Sequence, residues 1–191
     1  MSGTSRAQFD KAKKFLREKF DNHPDLKLVN RQLGDLQPRS GWSLINELIQ
    51  NAIDLNATDI KFTLNANGNL KFQHNASLKE FPLDTRSIIG LCGVAESTKG
   101  LNTVGFMGIG FKFFTKFYSF VDISGGDTHF RLKYPKSGDW KEKLQYLHSP
   151  EWLDVRSNIE PIYTTCFHFQ DPYSEVSSKI SDVFNLSLIH I

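Results

Sequence analysis

Apolar residues near the start of the chain recur at helical spacing. Phe9, Ala12, Phe15, Leu16 and Phe20 line one face of a segment from about Ser5 to Phe20, with Lys and Arg between them. That spacing predicts an amphipathic helix, ended by Asp21-Asn22-His23-Pro24. Residues 22–40 are polar, carry Pro24, Gly34 and Pro38, and read as a loop with room for one short element. A second helix is predicted from Ser40, a residue type suited to the N-cap, to about Leu55, with Asn56-Ala57-Thr58 ending it. The period then changes to two. Ile60 to Leu64 and Leu70 to His74 alternate as strands around the turn signal Asn65-Ala66-Asn67-Gly68-Asn69. Asp84 to Cys92 has helical character, and residues 93–104 are Gly-, Ser- and Thr-rich. A further helix is predicted over Phe111 to Phe117, then a hairpin, Tyr118 to Ser124 and Thr128 to Tyr134, around Gly125-Gly126-Asp127. Residues 135–160 read as irregular, Ile162 to Phe169 as a strand, and Ser174 to Leu186 as a closing helix. This order predicts an α/β fold in two layers, a sandwich with a mixed, mainly antiparallel sheet covered by helices.

Composition narrows the class. The chain has 191 residues, 39% hydrophobic and 23% charged, the profile of an ordinary soluble domain. Its sixteen Phe fall mostly in the alternating and helical patterns, which assigns them to the core. A net charge of +2 does not indicate nucleic acid, and Lys and Arg do not cluster with aromatics. No apolar run is long enough to span a membrane, and the N-terminus has no apolar signal region. Cys92 and Cys166 form no disulfide framework and read as reduced thiols of a cytoplasmic protein. Cys166 and His168 share a strand face, but two ligands make no metal site, so a core pair is the simpler reading.

Three segments carry candidate chemistry. The first is Glu47-Leu-Ile-Gln-Asn51-Ala-Ile-Asp54. At ~100° per residue, Glu47, Asn51 and Asp54 fall within roughly 60° of one another. Ile45, Leu48, Ile49 and Ala52 take the other side, so one helix offers both a core face and a polar stripe. Mg²⁺ takes hard oxygen ligands and keeps several waters. An Asn oxygen suits it beside a triphosphate, and a carboxylate one turn away can polarise an attacking water. A surface helix with ordinary polar residues would show the same stripe. The second segment, Gly105-Phe-Met-Gly108-Ile-Gly110-Phe111-Lys112, lacks the order and context of a dinucleotide or P-loop motif. Its glycines let backbone N–H groups approach phosphates, and the helix start near Phe111 and the Lys112 charge would add to that. A flexible loop with glycines for packing is the alternative. The third segment, Thr164-Thr165-Cys166-Phe167-His168-Phe169, reads as a strand that closes a base pocket.

In this order and at these intervals the three segments resemble the GHKL, or Bergerat-fold, ATPases, closest to the Hsp-ninety-like and sacsin-like domains. The superfamily also holds type II topoisomerases, histidine kinases and MutL-type repair proteins. The resemblance implies Glu47 as general base and Asn51 as magnesium ligand. It implies Asp54 toward the sugar or base, and Gly105, Gly108, Gly110, Phe111 and Lys112 about the phosphates. Glu96-Ser97-Thr98-Lys99-Gly100 resembles the start of the ATP lid, with Ser97, Thr98 and Lys99 reaching phosphates on closure. Thr165 corresponds to the adenine-side Thr. The first glycine box departs from the pattern, since its Asp and Gly are replaced within His74-Asn75-Ala76. A neutral His74 or the Asn75 carbonyl is then the expected acceptor for the adenine amino group. With an ordinary His pKa, adenine binding would weaken as the pH falls from about 7.5 to 5.5.

The implied function is Mg-dependent ATP binding and slow hydrolysis, coupled to lid closure and to conformational change or dimerisation. Residues 1–40 would be a helical segment packing on an ATP-binding domain of residues 41–191, itself the N-terminal part of something larger. The other reading is a degenerate nucleotide-binding or interaction module without turnover. A histidine kinase is disfavoured, because no phospho-acceptor helix is visible.

Overall fold

The computed structural model describes residues 2–35, 42–76, 85–93, 110–155 and 159–173. The helices are α1 (Ser2–Asp21), α2 (Leu26–Asp35), α3 (Trp42–Asp54), α4 (Thr85–Cys92) and α5 (Trp140–Leu147), with a 3₁₀ helix at Gly110–Lys116. The strands are β1 (Ile60–Leu64), β2 (Leu70–His74), β3 (Tyr118–Gly125), β4 (Thr128–Lys133), β5 (Glu151–Trp152) and β6 (Thr165–Pro172). They form one six-stranded sheet in the order β1-β2-β6-β3-β4-β5. Every pairing among the described residues is antiparallel, in keeping with the mainly antiparallel sheet expected. The chain is therefore an α/β protein built on an antiparallel sheet. None of its described helices is long and apolar enough to cross a membrane.

Strand alternation sorts the side chains onto two faces. In register across the sheet, Phe62, Phe72, Phe167, Ile123, Phe130 and Trp152 form one continuous apolar row. The helical layer packs on this face. Phe9 of α1 meets Phe130 at 5.7 Å and Trp152 at 5.3 Å between ring centroids. From the 3₁₀ helix, Phe111 meets Phe167 at 5.4 Å and Phe114 meets Phe169 at 6.4 Å. Leu44, Ile45, Leu48 and Ala52 of α3 enter the same core. The Phe-rich composition thus serves an aromatic layer between sheet and helices.

The opposite face is polar. Its central row reads Thr63, Lys71, His168, Asp122, Arg131 and Glu151 from strand to strand. Asp122 accepts two hydrogen bonds from Arg131, at 2.6 and 2.8 Å, and one from Gln170 at 2.7 Å. The Arg131 guanidinium also lies 4.2 Å from the centre of the Phe120 ring. Cross-strand ion pairs of this kind select the register as well as adding a little stability.

Two helices depart from the expected loops. Asp25 caps α2 by accepting from the N–H of Leu28 at 2.9 Å, and Val29 and Leu33 anchor the helix in the core. Asp139 caps α5 by accepting from the N–H groups of Lys141 at 2.7 Å and Glu142 at 3.0 Å. Leu144 and Leu147 are the buried side chains of α5. Both carry apolar residues at helical spacing, Leu26, Val29 and Leu33 in α2 and Trp140, Leu144 and Leu147 in α5, but over only 10 and 8 residues. The expected closing helix, Ser174 to Leu186, lies outside the described residues.

Two buried histidines carry a pH signature. His74 and His148 are both held down to about 4 by burial. His148 donates from Nδ1 to the carbonyl of Leu144 at 2.9 Å and lies 5.4 Å from the Phe20 ring. The unfolded chain takes up these protons near pH 6.5, the fold only near 4. The unfolded state therefore holds more protons in that window, and stability rises with pH through it. Support from the neutral rings is complete above about pH 6.5 and is lost toward 4, on the order of 3 kcal/mol for each ring at full loss. Urea titrations at pH 7 and 4.5 should show this loss, and His148→Phe should remove about half of it. An identical pH dependence in that variant would contradict the burial of His148.

Candidate functional site

The polar stripe of α3 is held by its own geometry and by the turn that follows. Asn51 donates from Nδ2 to Oε1 of Glu47 at 3.0 Å, one helical turn apart. Both side chains, and that of Asp54, are half-buried. Because an amide presents its nitrogen and oxygen in diverging directions, this bond turns the Asn51 oxygen away from the carboxylate. α3 ends in a Schellman arrangement. Asn56 adopts φ 60°, its N–H donates to Ile53 at 2.8 Å, and the N–H of Ala57 donates to Ala52 at 2.9 Å. Asn75, just beyond β2, then clamps the exit. Its oxygen accepts from the N–H groups of Thr58 and Asp59 at 3.0 and 2.9 Å, and its amide donates to the Thr58 hydroxyl at 3.0 Å. The C-terminal end of α3 is thereby tied to the end of β2 that carries His74.

That clamp changes the part expected of Asn75. Its carbonyl oxygen already accepts two backbone bonds, one for each lone pair, and is committed to the turn rather than to a base. His74 also differs from expectation. It is 2% exposed and rests against Phe72 and Phe167, with ring centroids at 5.7 and 6.4 Å. Its Nδ1 accepts from the N–H of Ala76 at 3.3 Å, so the proton of the neutral ring is on Nε2. The Nδ1 lone pair is therefore used within the chain. Burial holds its pKa down to about 4, so the ring stays neutral from pH 7.5 to 5.5.

Thr165 opens β6 directly opposite His74 and faces the apolar side with Phe167 and Phe169. It is 1% exposed, and its hydroxyl has no hydrogen-bond partner among the described residues. Neighbouring Thr164 extends the β2–β6 pairing. Its N–H donates to the His74 carbonyl at 3.0 Å and its hydroxyl to the Ala76 carbonyl at 2.9 Å. The next positions in the Thr165 row are Gly125 and Thr128, which sequence reasoning passed over. The alternation of Thr128, Phe130 and Leu132 was the signal that places Thr128 inward.

The glycine segment is only partly within view. Gly105 and Gly108 lie outside the described residues, as do Ser97, Thr98 and Lys99. Gly110 opens the 3₁₀ helix, a tighter element than the helix expected there. Phe111 is a core residue, packed on Phe114 and Phe167. Lys112 is fully buried, where a phosphate-facing charge was expected. Its ammonium donates to the carbonyls of Gly90 at 3.4 Å and Leu91, and so caps the C-terminal end of α4. Burial pushes its pKa down to about 8, against opposing contributions from Cys92 and Glu47. Lys112 therefore joins the residues on either side of segment 94–109 and places a positive charge near Glu47.

No three His, Cys, Asp or Glu side chains among the described residues gather as a metal cluster. A magnesium ion that keeps most of its waters and takes one protein oxygen needs no such cluster. Cys166 is buried and His168 half-buried on the polar face, outside the aromatic core in which a core pair was expected. The chain matches no protein-family model, and none of the curated proteins matches it significantly.

The burial of Lys112 has a measurable consequence. Its ammonium form is penalised in the fold below pH 8, and the penalty is relieved as pH rises toward the unfolded value of 10.5. Wild type should therefore gain stability relative to Lys112→Met between pH 8 and 10.5, on the order of 2–3 kcal/mol. Paired urea titrations check it. A pH-independent difference would mean that the ammonium is solvated.

Proposed function

We propose that this chain is a Mg-dependent ATP-binding domain of the GHKL type, which hydrolyses ATP slowly and couples it to lid closure and to conformational change or dimerisation. The observation that carries the reading is the Glu47–Asn51 pair, bonded at 3.0 Å on the half-buried stripe of α3. A metal ligand and a general base for phosphoryl transfer must act side by side, one holding the nucleotide and the other directing the water. The Asn51 oxygen holds Mg²⁺ at the phosphates, and Glu47 orients and deprotonates the attacking water. The buried ammonium of Lys112 keeps that carboxylate in positive surroundings. Asn75 supports the turn beneath the site.

Calorimetry with ATP and Mg²⁺ tests the metal ligand. Asn51→Ala should weaken Mg-ATP binding at least tenfold, about 1.4 kcal/mol. Unchanged affinity in a folded variant would remove Asn51 from the site.

The base is tested by a substitution that keeps the pair bonded. Gln at position 47 still accepts from the Asn51 amide but takes no proton. Glu47→Gln should therefore bind Mg-ATP as wild type does, while phosphate release falls about 10²–10⁴-fold. Glu47→Ala loses the bond as well and should also weaken binding. The second reading, a nucleotide-binding or interaction module without turnover, is favoured by the acceptors of Asn75 and of His74 Nδ1, both already used within the chain. It prevails if wild type binds Mg-ATP and releases no phosphate.

A further inference from the structure

The tip of the β1–β2 hairpin carries the chain's one Asn-Gly pair, Asn67-Gly68. Every other asparagine is followed by a residue with a Cβ, which crowds its backbone nitrogen. Asn67 is exposed, and Gly68 takes the left-handed conformation with φ 77°. Among its neighbours, Asn65, Asn69 and Asn75 use their side-chain oxygens to accept from backbone N–H groups. An exposed Asn before a glycine is set up for one covalent reaction. The Gly68 nitrogen attacks the side-chain carbonyl carbon of Asn67, and a C–N bond forms. The amide nitrogen leaves as ammonia, carrying the Gly68 proton, and a succinimide remains. Water opens that ring at either carbonyl. The product is Asp, or isoaspartate with the backbone routed through the side chain.

The fold holds this reaction back. The N–H of Gly68 donates to the Asn65 carbonyl at 2.9 Å, so the attacking nitrogen is engaged in the turn. Asn65 closes the turn from its side chain as well, where Oδ1 accepts from the N–H groups of Asn67 at 3.1 Å and Asn69 at 2.9 Å. From the core, the hydroxyl of Tyr118 donates to the Gly68 carbonyl at 3.1 Å. Tyr118 is itself fully buried and fixes the glycine to the sheet. The nitrogen is released only when these contacts open together, as a local fluctuation of the hairpin tip.

We infer that Asn67 is a site of spontaneous deamidation and isoaspartate formation, and that Asn65 and Tyr118 set its rate by holding the Gly68 nitrogen in the turn. The reaction needs no nucleotide and is independent of the reading of α3. Its two products differ in their effect on the fold. Asp at position 67 adds a charge to an exposed tip and leaves the backbone unchanged. Isoaspartate adds one atom to the backbone between Asn65 and Gly68. That shift separates the Gly68 N–H from Asn65 and its carbonyl from Tyr118, whose buried hydroxyl then loses its partner. A chemical change at the surface is thereby felt in the core.

Peptide mapping by mass spectrometry tests the site, with the full chain held at mildly alkaline pH and sampled over time. Asp and isoaspartate should accumulate at position 67 ahead of every other asparagine. Asn67→Gln should abolish the product there, because Gln must close a larger ring. Asn65→Ala and Tyr118→Phe leave the reacting pair intact and loosen its hold. Each should speed the reaction at position 67 about threefold to tenfold, with the other asparagines unchanged. In urea the wild type and both variants should react at one common, faster rate. In thermal melts the isoaspartate fraction should melt below the unmodified chain, and Asn67→Asp close to it. Faster modification at any other asparagine overturns the site. Equal rates at position 67 in the folded wild type, in both variants and in urea overturn the control by Asn65 and Tyr118. An isoaspartate fraction that melts with the unmodified chain overturns the link to the core.

Discussion

Strand β6 pairs with β2 on one side and β3 on the other, and that register decides the chemistry of both faces of the sheet. Side chains alternate with a period of two, so a slip of one residue would exchange the faces. Phe167 and Phe169 would turn toward the polar side, and His168 and Gln170 would enter the aromatic layer. Two independent requirements oppose the slip. The apolar row from Phe62 to Trp152 must meet the helices, and Asp122 must meet Arg131 and Gln170. The same register brings His74, Thr165, Gly125 and Thr128 into one line at the end of the sheet.

The helical layer depends on that sheet and on a few polar clamps. Asn75 binds the exit of α3 to the end of β2, and Lys112 caps α4 from the 3₁₀ helix. Both residues satisfy backbone groups that the fold buries or exposes at helix ends. They stand beside candidate chemical groups, and that placement gives each a supporting part rather than direct contact. Lys112 is the sharper case. A fully buried ammonium is costly unless its hydrogen bonds are met, and helix-terminal carbonyls are suited to meeting them.

Long periodic segments carried their own evidence. The 3.6-residue recurrence in α1 and α3 and the alternation in β1–β4 and β6 located those elements before any contact was considered, because periodicity reports which side faces a core. α2 and α5 carry the same helical spacing over only 10 and 8 residues, too short a run to stand out from loop sequence, and Asp25 and Asp139 fix where they start. The pairing of Glu47 with Asn51 was legible for the same reason as α3 itself, being a one-turn relation within a single element.

What the sequence determined by itself is therefore local: the elements with a clear period, the separation of apolar from polar positions, and the i, i+4 stripe of α3. Tertiary structure alone decided the rest. Whether Asn75 has a lone pair to spare depends on Thr58 and Asp59, which the fold brings to it. Which nitrogen of His74 carries the proton depends on the Ala76 N–H, and its low pKa on burial. Lys112 became a helix cap because α4 ends beside it. Hydrogen-bond partners and desolvation are properties of neighbours in space. Residue type and spacing supply the groups, and the packed sheet assigns their protons and partners.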